Sequence, residues 1–131
     1  MHSNLWTGSA ASGIKEMSRE MIYLASPYSH PDRNLVNERV GITRQCCAAL
    51  INKKFCVWSP ILMTHGIAYG LPTDAKFWME YNFDFIRRCE YIFVLKIPGW
   101  DTSVGVAEEI AVAKSLFIPV RFVDAFGDFI E

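Results

Sequence analysis

Apolar residues fall along the chain as short β-branched and aromatic runs separated by stretches with helical spacing. Met21-Ile22-Tyr23-Leu24-Ala25, Phe55-Cys56-Val57-Trp58, Tyr91-Ile92-Phe93-Val94-Leu95 and the run from Phe117 to Val123 read as strands. Between the first two, Asp32 or Asn34 caps a helix with Leu35, Val36, Val40, Ala48, Ala49 and Leu50 inside and Lys53 and Lys54 at its C-terminus. A strand, a helix and a strand within about 40 residues form a βαβ unit, which calls for a parallel sheet with a right-handed crossover.

Ser59-Pro60 breaks the second strand, and residues 61–71 form a connection with room for a short helix. Pro72-Thr73-Asp74 signals a helix running to about Cys89. Phe77, Trp78, Met79, Tyr81, Phe83, Phe85 and Ile86 leave it only a narrow polar strip. A helix apolar on more than one side is expected to be covered on more than one side, which points to subunit contact and a homo-oligomer, a dimer or higher. After the third strand, Pro98-Gly99 turns the chain and Ser103 caps a helix in which Val106, Ile110, Ala113 and Phe117 recur at helical spacing. Residues 1–20 are rich in Ser, Gly and Ala without periodicity and read as a flexible extension, residues 21–131 as the domain, with 124–131 an aromatic tail.

The chain has 131 residues, 51% of them hydrophobic, enough for one core. Its net charge of −1 leaves no electrostatic footprint for nucleic acid or an anionic membrane surface, so small molecules or protein are the expected partners. Cys46, Cys47, Cys56 and Cys89 lie in apolar elements without a C-x-x-C pair, and read as reduced core thiols in a cytoplasmic protein. No apolar run approaches a membrane span, and no histidine or cysteine spacing suits a metal.

The chemistry concentrates after the third strand. A strand, a small-residue turn and a helix N-terminus is where open α/β sheets bind anionic or nucleotide-like ligands, because free N–H groups and the helix dipole face the crevice. Gly105 lets a ligand approach the first turn. At 100° per residue Glu108 points to the far side, while Glu109 leans toward the sheet as a nucleophile or general base, or is a plain surface glutamate. Neither G-x-x-x-x-G-K-[ST] nor G-x-G-x-x-G is present, and the first loop, Pro27-Tyr28-Ser29-His30-Pro31, is poorly suited to a flavin phosphate.

Tyr23-Leu24-Ala25-Ser26-Pro27-Tyr28, together with Ser103-Val104-Gly105-Val106 and Glu109 four residues after Gly105, resembles the nucleoside 2-deoxyribosyltransferase superfamily. The resemblance spans about Met21 to Val123 and lies closest to a small uncharacterised branch with the same Pro-Gly-Trp, Ser-x-Gly-Val and Glu-Ile pieces. It implies a flavodoxin-like or Rossmann-like three-layer α/β sandwich with a mostly parallel sheet of four to five strands. It also implies a homo-oligomer, no cofactor, and cleavage of the N-glycosidic bond of a deoxynucleoside or its 5′-monophosphate. Glu109 would attack or stabilise the oxocarbenium-like sugar. Where the family places an aspartate on the preceding helix, this chain has Asn82, an amide that can hydrogen-bond but cannot act as a general acid.

Asp84 could substitute only if that helix were rewound, since two residues turn a side chain by about 200°; its ordinary role is to pair with Arg87 or Arg88. Asp101 and His65 are other candidate acids. Ser103 stands where the related 5′-monophosphate hydrolases carry a phosphate-contacting serine, a role that uses the same oxygen as a helix cap. Tyr23 would line the sugar or simply fill the core, and Ser26, Tyr28 and Ser29 are candidate sugar or phosphate contacts from the first loop.

Overall fold

A computed structural model describes residues 20–67, 71 and 74–131. The extension expected over residues 1–20, save Glu20, and the Pro72-Thr73 part of the helix signal lie outside the described residues. The order of elements is β1 (Met21–Ala25), α1 (Arg33–Asn52), β2 (Cys56–Trp58), α2 (Pro60–Thr64), α3 (Ala75–Ile86), β3 (Tyr91–Leu95), α4 (Val104–Ser115), β4 (Val120–Val123) and β5 (Phe129–Ile130).

The sheet order is β2-β1-β3-β4-β5, parallel except for β5, which runs antiparallel to β4. This is the flavodoxin-like α/β arrangement expected from sequence. From β1 the chain moves outward through α1 to β2, and from β3 it moves the other way through α4 to β4. The C-terminal ends of the adjacent β1 and β3 therefore flank a topological switch point, where such sheets place ligands.

Alternation along the strands divides the core. Ile22, Leu24, Phe93 and Leu95 face α1 and pack with Cys46 and Leu50. Tyr23, Ala25, Ile92 and Val94 face the opposite way, toward Ile86, Val106 and Ala113 of α3 and α4. Each large apolar side chain removed from water here contributes about 1.5–3 kcal/mol, so both layers are needed to hold the strands together.

Several boundaries differ from the sequence reading, each for a local reason. Asp32 caps α1, but the buried stripe of this helix is Arg39, Val40, Thr43, Cys46 and Leu50, and Ala48 is exposed. Ser59 and Pro60 do more than stop a strand: Ser59 caps α2 by accepting from Leu62 N–H, and Pro60 opens it. α3 ends at Ile86 rather than Cys89, and Ile86 is its one buried residue; Phe77 is 39% exposed. Phe117 does not continue the α4 stripe, because the helix has ended and its backbone turns left-handed (φ 59°), leaving the ring 93% exposed. The aromatic tail contains β5, folded back by a turn in which Asp124 Oδ1 accepts from the N–H groups of Phe126 and Asp128 and Gly127 takes φ 74°. All four cysteines are free, with Cys46 and Cys89 buried but Cys56 exposed at the start of β2.

Candidate active site

Ser103 adopts an extended backbone and its Oγ accepts from Val106 N–H at 3.2 Å, starting α4 beside the end of β3. From that start, Val106, Glu109 and Ala113 form the buried line of the helix. Helical spacing thus carries a carboxylate into the apolar layer, with the sheet-facing line running through Glu109 itself and Ile110 at its edge.

Glu109 is 7% exposed and accepts a short hydrogen bond from the hydroxyl of Tyr23, which is wholly buried on β1. Burial pushes the Glu109 carboxyl up from 4.5 to about 7; the Tyr23 hydrogen bond pulls it back down, and the neighbouring Glu108 charge adds to the rise. The Tyr23 phenol is driven far upward, first by burial and then by Glu109, so it stays protonated as a permanent donor. A carboxyl balanced near neutrality with a fixed donor on one oxygen can serve as a nucleophile, a base or an acid.

Four buried side-chain atoms lack a hydrogen-bond partner among the described residues: Ser26 Oγ, Arg39 Nε, Trp58 Nε1 and Asn82 Oδ1. Ser26 and Asn82 were candidates from sequence; Arg39 and Trp58 were not. Trp58 ends β2 directly beside Tyr23 in the strand register, and its ring stacks on Phe85 of α3. A terminal strand aromatic alternating onto the Tyr23 face was the available signal.

Arg39 is 9% exposed, and its Nη1 donates to the carbonyl of Ser29 at 3.0 Å and, more weakly, to that of Tyr28 at 3.5 Å. Its Nη2 lies beneath Gly99, where a Cβ would stand 2.2 Å away; Gly99 also takes φ 98°. Arg39 therefore braces the β1–α1 loop against the β3–α4 loop, the two loops that border the switch point. Its spacing with Thr43, Cys46 and Leu50 was the signal in the sequence.

The other candidates scatter. Tyr28 is half-buried and its hydroxyl hydrogen-bonds His65 Nδ1 at 2.7 Å, which ties the connection after α2 to the first loop. Ser29, Asp101 and Gly105 are exposed. Asp84 is not brought to Glu109: it is exposed on α3, 3.7 Å from Arg87 and accepting on its carbonyl from Arg88, because the two-residue step from Asn82 carries it to the solvent side. Among the described residues no group of three or more His, Cys, Asp or Glu side chains is placed to hold a metal ion. No helix among them is long and apolar enough to cross a membrane.

The chain matches no curated protein. Its fold is similar to that of a 2-deoxyribosyltransferase from the psychrotolerant bacterium Bacillus psychrosaccharolyticus, with a TM-score of 0.57 and 21% identity over 85% of this chain and 77% of that one. The family described as domain of unknown function DUF1937 matches residues 20–124, and the chain belongs to that family.

Proposed function

We propose that the protein cleaves the N-glycosidic bond of a deoxynucleoside or its 5′-monophosphate, passing the deoxyribosyl group to water or to a second base. The observation that carries this reading is the buried Glu109 carboxyl held by the Tyr23 hydroxyl. Breaking the bond between C1′ and nitrogen develops positive charge on the sugar. In its ionised form Glu109 attacks C1′ as the base departs, giving a glycosyl ester that water or an acceptor base then opens. Tyr23 fixes one carboxylate oxygen and leaves the other for the sugar. The Ser103 hydroxyl and the first N–H groups of α4 suit a 5′-phosphate better than a carboxylate would in that place. The likeness in fold to a 2-deoxyribosyltransferase supports the same reaction class.

The test is to incubate the purified protein with each deoxynucleoside and each 5′-monophosphate and follow the released base. Release that disappears in Glu109→Ala supports the assignment. No release, or equal release from the variant, rejects it. Asn82 motivates a second reading, a nucleotide-binding module without turnover, because an amide cannot protonate a leaving base. Calorimetric binding without base release would favour that reading.

A further inference from the structure

Arg39 is a buried cation that no carboxylate pairs with among the described residues, and its Nε has no partner there either. Taking a charge out of water on these terms opposes folding, and a neutral donor would hold a loop carbonyl at less cost. What a guanidinium adds is a rigid planar fork whose arms reach two places at once. One arm, Nη1, donates to the carbonyls of Ser29 and Tyr28 in the segment after β1. The other, Nη2, lies 2.2 Å from where a Cβ on Gly99 would stand, in the segment after β3.

The contacts continue beyond the fork. Tyr28, whose carbonyl Arg39 holds, places its hydroxyl 2.7 Å from His65 Nδ1, and the two rings meet edge to face with centroids 5.6 Å apart. His65 is the C-cap of α2, the helix that follows β2. On the other side the Gly99 carbonyl accepts from the Thr102 hydroxyl at 3.3 Å, one residue before the Ser103 cap of α4. Because β1 runs parallel to both β2 and β3, the segments leaving all three strands emerge at one edge of the sheet, the edge of the switch point.

We propose that Arg39 is a positioning residue that ties the segments after β1, β2 and β3 into one rim at the switch point, so that displacing one segment displaces the others. It acts on His65 through Tyr28 and on the start of α4 through Gly99. That the rim borders a deoxynucleoside site rests on the reading above; the linkage among the segments does not.

The experiment follows the ring nitrogens of His65 by heteronuclear NMR of the full chain, assigned with His65→Gln, in wild type, Arg39→Met, Gly99→Ala and the double variant. Arg39→Met keeps an apolar stem and removes the fork. It should move the His65 Nδ1 resonance toward its position in Tyr28→Phe, which deletes the bond outright. Gly99→Ala drives a methyl into the fork and should also move His65, but not in the Arg39→Met background, where the fork is gone. An Arg39 that only stabilises α1 would lower the melting temperature and leave His65 unmoved. A His65 resonance unchanged in Arg39→Met, or moved equally by Gly99→Ala in both backgrounds, overturns the proposal. In the base-release assay Arg39→Met should raise KM about tenfold with a smaller loss of kcat, because Glu109 and Tyr23 lie on other elements. An unchanged KM overturns the positioning role. A wild type that releases no base removes the catalytic reading, and the His65 resonance alone then decides the linkage. Should Arg39→Met not fold, as judged by circular dichroism, Arg39→Lys decides: it keeps the charge and loses the fork, so a shift at His65 supports the proposal and no shift overturns it.

Discussion

The two faces of the sheet are built from the same strands and serve different ends. On the α1 side Ile22, Leu24, Phe93, Leu95, Cys46 and Leu50 make a dry apolar layer. On the α3 and α4 side the same alternation delivers Tyr23 and Trp58, and the facing helices add Glu109 and Asn82. A carboxyl with little access to water, and polar atoms without partners, oppose folding. The first layer offsets that cost, which leaves the second free to hold polar groups.

Four changes break or sharpen this contrast, in order of expected effect. Glu109→Gln should reduce base release by about a thousandfold or more, as loss of a nucleophile does, with the fold retained by circular dichroism. Leu50→Ala, in the dry layer, should cost about 3–4 kcal/mol of stability in urea unfolding while the folded fraction keeps its KM; a large change in KM would mean that the faces are not separable.

The third concerns pH. Because the Glu109 carboxyl rises from 4.5 to about 7 on folding, the folded state holds an extra proton between those values. Stability should therefore fall as pH rises from about 4.5 to 7, by on the order of 3 kcal/mol, and then level off. Denaturant melts of Glu109→Gln across this window should lack that contribution. The fourth, Tyr23→Phe, removes the hydrogen bond that favours the carboxylate. The rising limb of the pH–rate profile, expected near pH 7 in wild type from the raised Glu109 carboxyl, should move to higher pH, with about a tenfold loss of rate at neutrality.

Much of the fold was legible because local signals agreed with one another. β1 and β3 are uninterrupted apolar runs, and Ser103 and Asp32 are strong caps followed by periodic helices. Phe117 misled because its spacing continues the α4 stripe, although the backbone has already left the helix. β5 was hidden because Phe129 and Ile130 are too short a run to show alternation, and the turn that returns them depends on Asp124 and Gly127. At the site, helical geometry gave the orientation of Glu109 and Asp84. It did not give Trp58 or Arg39: a residue type that ordinarily fills a core, or faces water, reveals its part only once its polar atoms can be paired off one by one.

The brace between Arg39 and Gly99 has a consequence for how this sequence can drift. Any side chain at 99 meets the guanidinium 2.2 Å from its first carbon, and a shorter residue at 39 releases the carbonyls of Tyr28 and Ser29. A relative with a side chain at 99 should therefore have given up the arginine at 39, whereas a relative that loses the arginine is free to keep the glycine.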